Sequence, residues 1–237
     1  MSPAEIAAAA AQLEGAPPEA VLRWAASRFA GRIGFATAFG PEGCVLLDVI
    51  GREKLAIDVF TLDTGLLFPE TVELWRRLEK RYGIRIRGVE PTLALPEQEV
   101  RHGPALWQRA PDACCELRKV QPLRRELLLF DAWITSIRRD QTPQRAGTAV
   151  VEPDDKFGLV KVNPVAGWSA SDVWARIRER AIPVNPLHAQ GYPTIGCAPC
   201  TTPIREGEDT RAGRWRTFAK TECGLHGRFT GSSPKES

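Results

Sequence analysis

The sequence predicts an α/β protein with a parallel-type sheet that carries helices on both faces. From residue 32 onward, short apolar runs that are typical of buried strands alternate with stretches whose apolar residues recur at helical spacing. This alternation is typical of parallel sheets, whose crossover connections are usually helices. Because ligands of such sheets bind at the carboxyl ends of the strands, the loops that follow the strands are the places to search for a site.

Residues 1–31 are expected to form two helices whose role is packing. The first begins at Ser2-Pro3-Ala4-Glu5, which has the pattern of a capping box with proline at the first helical position. The second opens at Pro17-Pro18 and keeps apolar residues at helical spacing: Val21, Leu22, Ala25 and Phe29.

From residue 32 onward, the sequence predicts a series of strands, loops and helices. After Gly191 it predicts loop structure. Residues 227–237 are rich in Gly, Ser and Pro, and we expect this tail to be mobile. The predicted strands are 33–38, 55–62, 84–89, 132–136 and 159–162, and the predicted helices are 44–50, 69–82 and 169–180.

Composition and charge indicate a soluble protein with a small anionic ligand. The chain is 43% hydrophobic and 26% charged with a formal net charge of +3, and no apolar run reaches the roughly 18–20 residues of a membrane helix. An alanine run near the N-terminus lacks the flanks of a signal peptide, so we expect a cytoplasmic protein without membrane contact. Arginines cluster at 138–145 and at 205–228, which favours a small polyanion over nucleic acid, although a solvated charged surface is the alternative.

The spacing of the six cysteines indicates a metal centre rather than a disulfide framework. Cys114-Cys115 and Cys197-x-x-Cys200 offer four thiols, and adjacent cysteines rarely pair with each other because the short ring strains the disulfide. Four thiolates can hold zinc or an iron–sulfur cluster. The adjacent pair favours a [4Fe–4S] cluster, in which each thiolate binds a different iron, but leaves zinc open.

The two remaining cysteines have different surroundings. Cys44 lies in a predicted apolar helix and is interpreted as an ordinary buried thiol. Cys223 lies near the end of the chain with Lys220 and His226 on either side, and cationic neighbours stabilise the thiolate that acts as a nucleophile. Cys223 is therefore the candidate catalytic residue, with a chance occurrence as the alternative.

Two loops after predicted strands are candidates for binding a phosphate. The loop at 38–43 precedes a helix, where backbone amides and the helix dipole favour an anion. It lacks the lysine of a Walker loop and the full dinucleotide glycine pattern, so a simple strand–helix turn is an equal alternative. Asp63-Thr64-Gly65 forms a second loop of modest specificity.

Five sequence blocks together resemble the assimilatory sulfonucleotide reductases, and more narrowly the bacterial adenylyl-sulfate (APS) reductases. They occur in order over most of the chain, and the last is the most specific. The blocks are TLDTGLLFPET at 61–71, CCELRKVQPL at 114–123, GYPTIGCAPC at 191–200, GEDTRAGRW at 207–215 and ECGLH at 222–226.

The resemblance implies a sheet of the adenine-nucleotide α-hydrolase type and a thioredoxin-dependent reduction of adenylyl sulfate to sulfite and AMP, as in sulfate assimilation and cysteine biosynthesis. Cys114, Cys115, Cys197 and Cys200 would hold a [4Fe–4S] cluster, and Cys223 would carry an S-sulfocysteine intermediate. Residues 32–216 would form the nucleotide-binding domain with the cluster, residues 217–237 the tail with the catalytic cysteine, and the protein would be a homo-oligomer.

The resemblance also suggests which residues bind the substrate. Relatives that hydrolyse ATP carry Ser-Gly-Gly-x-Asp-Ser where this chain has AFGPEG at 38–43, which argues for a nucleotide with one phosphate and a sulfate. Ser136 stands where the family usually has glycine, two residues before the Arg138-Arg139 pair. The candidates for holding the two anions are Lys119, Arg138, Arg139, Arg211 and Arg214. The other candidate binding residues are Phe39, Gly40, Asp63, Thr64, Gly65 and His226.

Two alternatives remain at this stage. The first is the same reaction on 3′-phosphoadenylyl sulfate (PAPS), although family members that prefer PAPS generally lack the four cluster cysteines. The second is a zinc-containing RNA-binding or tRNA-modifying protein on the same nucleotide fold, against which the nearly neutral net charge counts.

Overall fold

The structure, a computed structural model, describes residues 1–218, 220 and 222–225. Its centre is a six-stranded sheet in the order β3-β2-β1-β4-β6-β5, in which β5 is antiparallel to β6 and the other neighbouring pairs are parallel. The predicted α/β class with a parallel-type sheet is therefore confirmed. The strands are β1 Ile33–Ala36, β2 Asp58–Leu62, β3 Ile86–Val89, β4 Ala132–Ile134, β5 Val151–Asp154 and β6 Leu159–Val162.

Helices cover both faces of this sheet. A π-helical segment, Glu116–Val120, lies between α7 and α8. In the described part of the chain, no helix has the length and apolar character needed to cross a membrane. The α-helices are α1 Pro3–Leu13, α2 Pro18–Arg28, α3 Pro41–Glu53, α4 Pro69–Tyr82, α5 Leu95–His102, α6 Leu106–Arg109, α7 Pro111–Cys115, α8 Gln121–Leu127 and α9 Ala170–Arg180.

Strand residues alternate between two apolar cores, one on each face of the sheet. In β4, Ile134 packs in the larger core under α2, α3, α4 and α9, whereas Trp133 packs in the smaller core with residues of α8. In β1, Phe35 faces the larger core, and Gly34 faces Phe130 of the smaller core so closely that an added Cβ would lie 2.7 Å from that ring. The two cores confirm that helices pack on both faces.

The two N-terminal helices form as the sequence predicts. Ser2 caps α1, and its capping box is completed by Glu5. The helix packs against the edge strand β5, and Glu14 directly after it accepts two 2.8 Å hydrogen bonds from the Arg139 guanidinium group. This bidentate pair links the end of α1 to the loop after β4.

Several boundaries and elements differ from the sequence prediction. Helix α3 begins at Pro41 rather than at residue 44, because proline suits the first helical turn and its fixed φ extends the helix toward the sheet. Strand β5 was not predicted, because it contains Pro153. Proline has no backbone N–H to donate to a neighbouring strand, so within a sheet it is tolerated mainly in an edge strand such as β5. Helices α5 to α8 also went unpredicted, since they are short and contain or adjoin prolines. The predicted mobility of 227–237 and the role of His226 lie outside the described residues.

Candidate active site

A cavity of about 200 Å³ opens at the carboxyl ends of the central strands, where the fold class predicts a ligand. Thr37 follows β1, Thr64 follows β2, and Thr135 and Ser136 follow β4, and all four line this cavity. Their hydroxyl groups come together because the strands are parallel and neighbouring. The Ser136 exchange therefore places an additional hydroxyl group inside the site.

The turn after β1 forms one wall of the cavity. Phe39 has a left-handed φ of 59°, which costs a residue other than glycine about 1–3 kcal/mol. The turn is held because Thr37 Oγ1 accepts a 3.1 Å hydrogen bond from the Phe39 amide, and the Phe39 ring stacks on Trp75 with ring centroids 5.9 Å apart. Phe39 lines the cavity, and Gly40 is the N-cap of α3 directly after it.

Two distant parts of the chain bring the four clustered cysteines together. Cys114 and Cys115 end α7, and Cys197 and Cys200 flank a short helical turn in the loop after residue 191. Burial, together with the charges of Cys115, Cys197 and Cys200, raises the pKa of Cys114 to about 12. The four thiols are thus free cysteines within electrostatic range of one another.

These four sulfurs do not converge on one point. Within the described ranges, no group of three or more His, Cys, Asp or Glu side chains could hold a single metal ion. A tetrahedral zinc would require all four sulfurs at about 2.3 Å from one centre. The donor set of four thiols nonetheless suits a larger cluster in which each sulfur binds a different iron.

Arg118 connects the cysteine segment to the loop after β2, a role that the sequence analysis missed. Its buried guanidinium group donates to the Thr64 carbonyl at 2.5 Å and to Gln98 Oε1 at 3.1 Å. Thr64 Oγ1 in turn lies 3.3 Å from the Cys197 sulfur. The CCELRK block contained the signal, but a single sequence gives no reason to choose Arg118 as the structural cation beside Lys119.

The other predicted residues of this loop shape the turn. Asp63 Oδ1 accepts a 3.0 Å hydrogen bond from the Gly65 amide, and Gly65 has a left-handed φ of 67°. Thr64 lines the cavity, whereas Asp63 and Gly65 do not. The structure therefore brings one of these three predicted residues to the cavity and uses the other two to position it.

Lys119 lies between the cysteines and the cavity. It belongs to the π-helical segment and lines the cavity. Burial would lower its pKa, but the charges of Cys197 and Cys223 raise the pKa above its usual value. A π-helical turn is a frequent feature of functional sites.

Three arginines complete the cationic lining: Arg145, Arg211 and Arg214. The guanidinium group of Arg214 packs over the Trp215 ring, 4.4 Å from its centroid, and against Gly196, where a Cβ atom would collide with it. Burial lowers the pKa of Arg211, and the nearby carboxylate of Glu222 acts in the opposite direction. Arg211 and Arg214, two of the predicted anion-binding residues, thus line the cavity, and Arg145 lines it with them.

Arg138 and Arg139 lie elsewhere. Arg138 is buried and pairs with Glu42 at 2.8 Å and with Asp140, while Arg139 pairs with Glu14. Neither lines the cavity. The sequence pattern grouped both with Arg145, but only the fold reveals that Arg145 is the member of this cluster that reaches the site.

Cys223 lines the cavity together with Glu222 and Leu225. Leu225 packs against the smaller core, and the Gly224 carbonyl accepts a hydrogen bond from Lys156. These contacts hold residues 222–225 against the sheet edge, so that Cys223 faces the same space as Lys119. The arrangement presents a thiol to a cavity whose lining includes four cationic side chains, which suits attack on an anionic electrophile.

Comparison with known proteins identifies the family of the chain. Residues 32–203 match the family described as phosphoadenosine phosphosulfate reductase domain. The chain is 48% identical to adenosine 5′-phosphosulfate reductase 1 of Bacillus subtilis over 87% of this chain and 89% of that protein. It is 45% identical to a phosphoadenosine 5′-phosphosulfate reductase of Gloeobacter violaceus over 92% of this chain and 91% of that one.

Solved structures agree as well. Phosphoadenylyl-sulfate reductase from Candida auris, in a phosphate complex, aligns with a TM-score of 0.76 and 32% identity over 85% of this chain and 98% of that chain. The FMN adenylyltransferase of Candida glabrata shares the fold alone, with a TM-score of 0.57 and 13% identity over 86% of this chain and 67% of that chain. The chain belongs to the phosphoadenosine phosphosulfate reductase family.

Proposed function

We propose that this protein is an adenylyl-sulfate reductase, which converts adenosine 5′-phosphosulfate to sulfite and AMP in the cytoplasm with electrons from a thioredoxin-type dithiol. The observation that carries the proposal is the position of Cys223, whose thiol lines one cavity with Lys119, Arg211 and Arg214. Relatives at 43–48% identity that bear the name adenosine 5′-phosphosulfate reductase support it.

The chemistry requires a thiolate, in-line placement and positive charge. In the proposed step, the Cys223 thiolate attacks the sulfate sulfur, an S–S bond forms, and the S–O bond to the phosphate breaks. AMP leaves with the electron pair of that bond, and Cys223 retains the sulfonate as S-sulfocysteine. The buried cations offset the repulsion between the thiolate and the two anionic groups of the substrate, where the low dielectric makes each charge more effective.

Release of sulfite requires a reductant. A thiolate of the external dithiol attacks the Cys223 sulfur, and sulfite leaves with the electron pair of the S–S bond. The second thiol of the reductant then resolves the mixed disulfide and returns Cys223 as a thiolate. An external dithiol is required because Cys44 is fully buried in α3 and the other four cysteines are assigned to a cluster.

We further propose that Cys114, Cys115, Cys197 and Cys200 hold a [4Fe–4S] cluster. What supports this is the donor set, four free cysteines from two segments of the chain whose charges act on one another, since a [4Fe–4S] cluster takes four thiolates. When bound, the cluster would supply a fixed charge beside Lys119 and would join α7 to the loop that carries Cys197. Arg118 and Thr64 would maintain the surroundings of these sulfurs from the protein side.

The same reaction on PAPS is the second candidate, because a relative of similar identity carries that name. Adenylyl sulfate is favoured because the four cysteines that distinguish many APS-type family members are present and brought together in this chain.

Replacement of the proposed nucleophile should abolish the reaction while the nucleotide still binds. Cys223→Ser should lower the rate of sulfite release by about 10⁴-fold or more, since a serine hydroxyl is not ionised at neutral pH. Nucleotide affinity, measured by calorimetry, should change little. Cys44→Ala is the matched control, because Cys44 is buried and does not line the cavity, and it should retain turnover. Sulfite release by the Cys223 variant would refute the assignment.

The cluster is tested by iron content rather than by activity. Protein purified without oxygen should be brown, absorb at about 400 nm and contain about four irons per chain. Cys200→Ser should lose most of this iron, whereas Cys44→Ala should keep it. A colourless anaerobic preparation that contains zinc instead of iron would contradict the proposal.

Substrate preference is tested by direct comparison of the two nucleotides. With the same dithiol reductant, kcat/KM for adenylyl sulfate should exceed that for PAPS by at least about tenfold, which corresponds to a modest difference in transition-state binding. Equal values, or a preference for PAPS, would favour the second candidate.

A further inference from the structure

Glu222 occupies a place among the cavity cations that a ligand anion would use. Its Oε2 atom accepts hydrogen bonds from Arg145 Nη2 at 3.0 Å and from Arg211 Nη2 at 3.3 Å. All three side chains line the cavity and are largely buried, with exposed fractions of 13% for Arg145, 19% for Arg211 and 23% for Glu222. One carboxylate therefore joins two cations that come from separate segments of the chain.

This contact leaves hydrogen-bonding capacity unused. Among the described residues, Glu222 Oε1 and Arg145 Nε are both buried without a hydrogen-bond partner. The Nε atom of the neighbouring Arg214 is also buried without one. A buried charged group with an unsatisfied atom is costly, so a ligand with more acceptor oxygens could bind these arginines better than the carboxylate does.

Glu222 is also joined to Cys223 by a single peptide bond, so its contacts determine where that thiol lies. The backbone beyond it is held by Lys156 at the Gly224 carbonyl and by the packing of Leu225. If the carboxylate leaves the two arginines, this ion-pair attachment is lost, while the Lys156 hydrogen bond, the Lys220–Asp112 ion pair and the packing of Leu225 remain.

We propose that Glu222 is a positioning residue that occupies the anion site of the empty enzyme and is displaced by the phosphosulfate part of the nucleotide. Nucleotide binding and the docking of the Cys223 segment are then coupled through Arg145 and Arg211, and the coupling is reciprocal. A docked carboxylate weakens nucleotide binding, and a bound nucleotide loosens the segment. This inference rests on the proposed function, because it takes the cavity as the nucleotide site.

A purely structural role for Glu222 leads to the opposite expectation. If the carboxylate only orients the two arginines for the substrate, its removal misplaces them and weakens nucleotide binding. If it is a competitor, its removal tightens binding, because the ligand no longer displaces a charged partner. The sign of the change in affinity therefore separates the two roles.

The test uses the full chain with its metal centre and AMP as the probe. Glu222→Gln, which keeps the shape and removes the charge, should bind AMP about tenfold more tightly than the unaltered chain by calorimetry. Glu206→Gln is the matched control: it removes the same charge from an exposed site in the same part of the chain, and its affinity should stay within about twofold.

The position of the segment gives a second readout. Alkylation of Cys223 by iodoacetamide, followed on its own peptide by mass spectrometry, should be faster in Glu222→Gln than in the unaltered chain without nucleotide. AMP affinity that is unchanged or weaker in Glu222→Gln overturns the inference, and leaves the proposed function standing as long as the unaltered chain binds AMP. An unaltered chain that does not bind AMP overturns both.

Discussion

The crowding of four partly buried cationic side chains around one small cavity is the constraint on which the site depends. Lys119, Arg145, Arg211 and Arg214 line it, and Glu222 is the carboxylate among the described lining residues. Buried charges are costly unless they are paired, so this excess of positive charge favours a ligand with negative charge on both its phosphate and its sulfate. Cys223 lines the same cavity, so in the proposed reaction one arrangement of positive charge serves both nucleotide binding and attack.

The parallel sheet is what brings these groups together. Its neighbouring strands end at one edge, so Thr37, Thr64 and Thr135 meet there although long stretches of chain separate them. The fold class and this edge could be predicted from the sequence, because strand and helix periodicities depend on local patterns of apolar residues. The sequence motifs were also enough to name four of the residues that meet at this edge. The structure brings all four to one cavity: Lys119, Arg211, Arg214 and Cys223.

The features of the site and fold that were not predicted depend on contacts between residues far apart in the sequence, and such contacts leave no local sequence pattern. Arg138, Arg139 and Arg145 form one cluster in the sequence, yet Glu42 and Glu14 bind the first two and leave the third to line the cavity. The pairing of Glu222 with Arg145 spans 77 residues and has no local signature. The edge strand β5 escaped prediction because its stability comes from pairing with β6 and packing of α1, not from its own pattern.

The central claim is that one cysteine takes the sulfonate group from the nucleotide. The most direct measurement is peptide mass spectrometry of the iron-loaded protein after exposure to adenylyl sulfate without a reductant. The account predicts a sulfonate adduct on the peptide that contains Cys223, and its release as sulfite when a dithiol is added. An adduct on any other cysteine, or none while AMP is still formed, would contradict it.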